Sequence, residues 1–349
     1  MRKFVHVLIF SILLTTSAES VLASTNSLLW TTATASDPVH GTQTVGIQLT
    51  DDPATIVSSS LILGAGQAAG VAARGTASVG ASSIANGLAY SAISPVPGPG
   101  GTGTGYADAR FGDGMTLSWA GHEGESVLLT FAINTSVSAT ALTGSFNSNP
   151  AQVSVLNSLS VGGAFYRQSG TFDTTGNDLT TDITGATTNG APNVLTVEVR
   201  LGEILGIGMQ SATQSEATGG YEYIDGFSEA QDFASGAAAY VGIGWGGIQS
   251  ITDLDGNLIQ FAFAGGASPS FFGLSADTIM ISSDSGIDYT LSYALPEIQA
   301  SLPEPTAFLL ASGVIFLPLC RRSRRGKQNG SSPALERGTE QLVDAHRNT

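Results

Sequence analysis

The sequence predicts an all-β protein, a β-sandwich of jelly-roll-like type, and three observations carry that prediction. Small residues dominate: 44 of the 349 residues are glycine, and only 7% are aromatic. Alternation of apolar and polar positions recurs in short segments, which is the mark of strands covered on one face. Turn chemistry separates those segments, with Asp255-Gly256 between two alternating runs as the strongest hairpin signal.

The clearest alternating runs are Val127, Leu129, Phe131, Ile133 and Leu195, Val197, Val199, Leu201. Ile259, Phe261, Phe263 and Tyr289, Leu291, Tyr293 repeat the pattern, and Ser285-Gly286 is the turn before an expected Asp288–Tyr293 strand. Further strands are expected at 44–50, 55–63, 115–120, 237–245 and 278–282. The Pro- and Gly-rich stretch 95–105 reads as a loop within one domain. Residues 64–90 are mostly Ala, Gly and Ser; their glycines recur too often for a helix interior, so strand is expected.

Charge is unevenly placed. Residues 24–301 hold 23 acidic side chains against Arg74, Arg110, Arg167 and Arg200, a net −19 with no lysine. Such a body repels nucleic acid and anionic lipid, and nucleic-acid binding is excluded on that ground. The single cysteine, Cys320, allows no intrachain disulfide.

The N-terminus has the plan of a secretion signal: basic Arg2-Lys3, an apolar run from Phe4 to Leu14, and small residues before a cut between Ala23 and Ser24. Signal peptidase is the implied partner, and the chain is expected to be exported. Near the other end stand Pro303-Glu304-Pro305, an apolar segment from Thr306 to Leu319, and a basic cluster of Arg321, Arg322, Arg324 and Arg325. As a helix the apolar segment is about 21 Å long against a hydrocarbon core near 30 Å, so it is a short transmembrane helix. Positive-inside logic leaves the arginines in the cytoplasm and the acidic body outside.

Motifs that carry chemistry mostly fail. Gly64-Ala65-Gly66 after an apolar run imitates a dinucleotide fingerprint, but the next acidic residue is Asp108, far beyond the ribose-binding position. Asp253-Leu254-Asp255-Gly256-Asn257 resembles the start of a calcium loop. The positions that need Gly and a bidentate Glu hold Leu258 and Ala264, so a turn is expected there and a looser calcium site is the alternative. His40 and His122 are the body's only histidines, and no zinc, serine-hydrolase or other catalytic constellation forms around them. No cofactor, no metal and no enzyme activity are expected. The segment from Tyr221 to Phe233 sets four carboxylates among four aromatics; Tyr221, Glu222, Tyr223 and Asp225 are its candidate sugar or cation contacts. The plainer reading, an acidic loop pinned by its aromatics, is the one expected.

The C-terminal order of motif, apolar helix and arginines closely resembles the PEP-CTERM sorting signal. The body resembles a recurring ectodomain of such proteins at Ile251-Thr252-Asp253-Leu254-Asp255-Gly256-Asn257 and Ser285-Gly286-Ile287-Asp288-Tyr289. The resemblance implies a membrane-embedded exosortase as processing partner, a setting of exopolysaccharide or biofilm production, and passage from the inner membrane to the cell surface or matrix. Leu302 stands where the family more often has Val, and 24 polar residues, 326–349, follow the arginines where the family usually stops. The expected organisation is therefore signal peptide 1–23, β-sandwich ectodomain 24–300, sorting signal 301–325 and polar tail 326–349. The expected role is structural or adhesive and non-enzymatic; the alternatives are a carbohydrate-binding module and an extracellular hydrolase.

Overall fold

The structure, a computed structural model, describes residues 26–37, 40–50, 56–63, 71–79, 82–91, 99–143, 151–222, 231–233, 235–264 and 277–295. Contacts divide the chain into Met1–Leu302 and Pro303–Thr349, and the second unit lies outside the described residues. The signal segment, the sorting motif, the apolar segment and the arginine cluster also lie outside them.

The described residues are all-β. In chain order the strands are β1 Asn26–Asp37, β2 Gly41–Thr50, β3 Ile56–Leu63, β4 Val71–Val79, β5 Ser82–Ser91, β6 Pro99–Ser118 and β7 Ser126–Thr143. They continue with β8 Ala151–Val161, β9 Ala164–Asp173, β10 Asn177–Thr184, β11 Thr187–Asn189, β12 Ala191–Arg200 and β13 Ile204–Glu222. The last are β14 Gln231–Phe233, β15 Ser235–Thr252, β16 Leu258–Phe263 and β17 Thr278–Ser283.

Two leaves face each other. One runs β2-β1-β6-β13-β8-β9-β10 and is antiparallel throughout. The other runs β3-β4-β5-β15-β7-β12-β11, also antiparallel. A short bridge joins them: β15 pairs with β16, β16 runs parallel to β17, and β17 continues along β6 beyond β1. The sheet is thereby nearly closed, a flattened barrel. On the opposite side the leaves separate between β7/β12 and β9/β10, where a cleft of about 420 Å³ includes Asn134, Tyr166, Gln168 and Asn193 in its lining.

Most expected strands are present, at 41–50, 56–63, 126–143, 191–200, 235–252, 258–263 and 278–283. The Ala/Gly/Ser stretch yields β4 and β5, as expected. Two expectations are corrected. Residues 99–105 are not loop but the first part of β6, whose glycines at 103 and 105 face Ala35 and Ala33 across the β1 ladder. Residues 288–293 are not a strand: Asp288 Oδ1 accepts from the Thr290 backbone N–H at 3.0 Å, and Leu291 N–H donates to Asp288 O at 3.1 Å, closing a turn. Tyr289 is fully buried there while Leu291 is 55% exposed, so a turn produces what looked like period two.

The core has two halves. Around the ends of β6 and β7 joined by the 119–125 turn it holds large side chains, among them Phe111, Met115, Leu117, Phe131, Trp245 and Tyr289. Toward the other end it is built mainly of Ala85, Ala107, Ala109, Ala237 and Ala239 with a few valines. Between them lies a buried polar seam. Ser211 Oγ sits 2.7 Å from both Ser83 O on the facing leaf and Asn157 Oδ1, and Ser83 Oγ donates to Ala109 O at 2.5 Å.

Candidate functional site

The sequence-derived contacts do not form one site. Tyr221 and Glu222 are not loop residues; they end β13 and pair with Asp232 and Gln231 of β14, because β13 is carried past β6 by its pairing partners. Tyr223 and Asp225 lie outside the described residues. Asp253 and Asp255 stand in the β15–β16 hairpin, as the Asp-Gly signal predicts, with Gly256 at φ +88°. Along β6 and β13 the Pro99–Gly220 pair and the Thr116–Ile204 pair mark opposite ends of the barrel. At a rise near 3.3 Å per residue those ends are roughly 50 Å apart. Tyr221 and Glu222 belong to the first end and the hairpin to the second.

The Asp253 carboxylate is used by its own turn. Oδ1 accepts from the backbone N–H of Asn257 at 2.8 Å and of Asp255 at 3.0 Å, and Oδ2 accepts from Asn257 Nδ2 at 2.7 Å. These bonds, the Asn257 side chain first, stabilise the ionised form and pull the Asp253 carboxyl below its usual range. The motif that imitates a calcium loop is an Asx-type turn. Among the described residues no three His, Cys, Asp or Glu side chains gather as a metal site. His122 lies in the 119–125 turn, stacked on Trp119 at 3.8 Å between centroids with Nδ1 3.0 Å from Glu125 Oε2.

Two buried carboxylates that sequence reasoning passed over organise more of the molecule. Asp113 accepts from the Gly114 N–H at 2.9 Å, from the Ser285 N–H at 3.1 Å, from Ser285 Oγ, and from the Tyr289 hydroxyl at 2.7 Å. The Tyr289 carbonyl in turn accepts from Trp245 Nε1 on the facing leaf at 2.6 Å. Burial, then the bond to Asp113, pushes the Tyr289 phenol far above its usual range. The C-terminal segment of the body is thus clamped to both leaves. Gly247 makes this approach possible: at φ +88° it lies where a Cβ would come within 3.2 Å of the 290–292 backbone.

Asp108 lies on the outer face of its leaf and is nevertheless fully buried by longer neighbours. It accepts from Tyr106 Oη at 3.1 Å, Arg110 Nη2 at 2.8 Å and Gln210 Nε2 at 3.1 Å. Burial first and Asp108 second push the Tyr106 phenol far above its usual range. Trp30 meets Tyr106 edge to face at 5.2 Å. Directly opposed residues share a sheet face. Arg110, Gln210, Ser158 and Arg167 therefore form one row across β6, β13, β8 and β9 on this face. Arg167 Nε is buried and has no hydrogen-bond partner among the described residues. Two of the body's four arginines share that row with two aromatics beside it. The only sequence signal was the alternation Tyr106, Asp108, Arg110, which fell next to the stretch read as loop. Aromatic rings beside planar amide and guanidinium donors suit a hydroxyl-rich ligand.

No protein-family model, no curated protein and no solved structure matches the chain.

Proposed function

We propose that this chain is an exported, membrane-sorted surface or extracellular-matrix protein, a substrate of an exosortase, with a structural or adhesive role. The observation that carries the reading is the order Pro303-Glu304-Pro305, apolar segment, Arg321–Arg325 behind an N-terminal signal and a body of net charge −19. Residues 24–300 are in this reading a cargo ectodomain of the sandwich or jelly-roll kind. Its architecture is compatible with processing at the motif: the last described residue, Leu295, precedes Pro303, so a cut there leaves every described strand intact. Signal peptidase removes the leader, the short apolar helix and its arginines hold the chain at the inner membrane, and cleavage passes the barrel to the surface. Replacing Pro303-Glu304-Pro305 with alanines is expected to leave the protein in the membrane fraction at full length. Surface delivery unchanged by that replacement sinks the reading.

A second reading, glycan binding, is favoured by the outer face around Trp30, Tyr106, Arg110 and Gln210 rather than by residues 221–225. Loss of polysaccharide binding in Trp30→Ala, with binding kept in Tyr221→Ala, is its expected signature. Equal binding by Trp30→Ala and the unaltered protein removes it.

A further inference from the structure

We infer that β2 is a self-pairing edge through which two copies of this chain join their sheets. All but one of the residues Gly41–Thr50 are exposed, and among the described residues the strand pairs with β1 alone. A free edge presents unpaired backbone groups, and proteins usually blunt it with charge, proline or a bulge. None of those devices is present: Gly41-Thr42-Gln43-Thr44-Val45-Gly46-Ile47-Gln48-Leu49-Thr50 contains no charged residue and no proline, inside a body of net −19. Its register with β1 runs through all ten residues without a bulge. The opposite edge is treated differently. β10 carries Asp178 and Asp182 along its eight residues, which oppose a second copy by like charge.

The strand's own pattern selects the occupant. Val45, Ile47 and Leu49 stand opposite Ala33, Thr31 and Leu29 of β1, so they continue the core-facing side of the leaf, yet Val45 is 38% and Ile47 41% exposed. Two of the four position pairs about Gly46 match in kind, Val45 with Ile47 and Thr42 with Thr50. An antiparallel pairing centred there sets Val45 against Ile47 of the second copy, Thr44 against Gln48, Gln43 against Leu49, and Thr42 against Thr50. A two-fold axis through the pair keeps the core-facing sides of both copies on one side, so Val45 and Ile47 of the two copies form an apolar patch at the centre of the junction. No like charges meet, although the two bodies repel each other elsewhere. A pairing of one ten-residue strand buries less surface than a tight dimer requires, so the contact is weak in solution and strengthens where copies are held close together. The inference does not rest on the sorting reading, and the two fail separately.

Cross-linking of the full-length chain in detergent, in a Cys320→Ser background, tests it. A mixture of Val45→Cys and Ile47→Cys chains should form disulfide-linked dimers several-fold faster than Leu179→Cys, whose thiol is exposed on β10. Adding Val45→Lys and Ile47→Lys to the otherwise unaltered chain should abolish self-association in sedimentation without changing the thermal unfolding curve. Cross-linking of the mixture no faster than that of Leu179→Cys overturns the inference. Faster linking of Val45→Cys to itself than to Ile47→Cys overturns the Gly46-centred register.

Discussion

The two ends of the barrel solve the problem of covering a sheet in opposite ways. At one end Trp245 stacks on Phe131 at 4.7 Å and meets Tyr289 edge to face at 5.2 Å, so wide side chains fill the space between leaves. At the other end the leaves come so close that side chains nearly disappear. A Cβ built on Gly87 of β5 would lie 3.1 Å from Ser215 Oγ, 3.2 Å from Thr213 Cγ2 and 3.3 Å from Gly105 O, all on the facing leaf. Ser215 Oγ donates to Gly87 O at 3.0 Å, so the leaves there are joined by hydrogen bonds as well as by contact. Low aromatic content and abundant glycine are consequences of the thin end, and the few large residues are concentrated where the barrel is wide.

The largest expected effect lies at the wide end. Trp245→Ala removes a fully buried indole and its bond to the Tyr289 carbonyl. It should cost about 3–5 kcal/mol, read from chemical denaturation. A loss below that of a surface substitution would mean that the wide end does not hold the leaves together. The thin end should fail in the opposite direction: Gly87→Val should destabilise by roughly 1–3 kcal/mol through overpacking against the facing backbone. If Gly87→Val is neutral, the leaves are further apart than described.

The most discriminating effect concerns the Tyr289 hydroxyl. Tyr289→Phe leaves the buried Asp113 carboxylate one donor short, at a cost of about 1–3 kcal/mol. The sign with pH follows from the raised phenol. The fold favours the neutral form, so its contribution is full below the unfolded tyrosine value near 10 and is lost as pH rises above it. The stability gap between the unaltered protein and Tyr289→Phe should therefore narrow above pH ~10. A constant gap would show that the fold does not hold the buried Tyr289 phenol in its neutral form.

The same contrast explains which strands were legible in the sequence. β12 and the first half of β7 belong to the wide end, where Val, Leu, Phe and Ile alternate with polar residues, and period two is visible at once. β13 passes from that end to the thin one, and its core-facing positions change from Ile207 and Met209 to Ser211, Thr213 and Ser215, all buried. A buried face made of hydroxyls hides the alternation, so this long central strand left no clear signature. The edge strand β10 is exposed almost throughout and has only Leu179 and Ile183 to mark its apolar face. Tyr289, Leu291 and Tyr293 produced the reverse error. The candidate site was less legible still. Trp30, Arg110, Gln210 and Arg167 come from four strands, and only their register places them on one face.

The proposed sorting role divides the chain into a barrel clamped through Tyr289 and an address removed at Pro303–Pro305. Intact-mass measurement and terminal sequencing of the mature cell-surface form test it most directly. The mature form is expected to begin near Ser24 and to lack the residues after Pro303–Pro305. A mature surface form that still carries the Arg321–Arg325 cluster and ends at Thr349 would contradict that role.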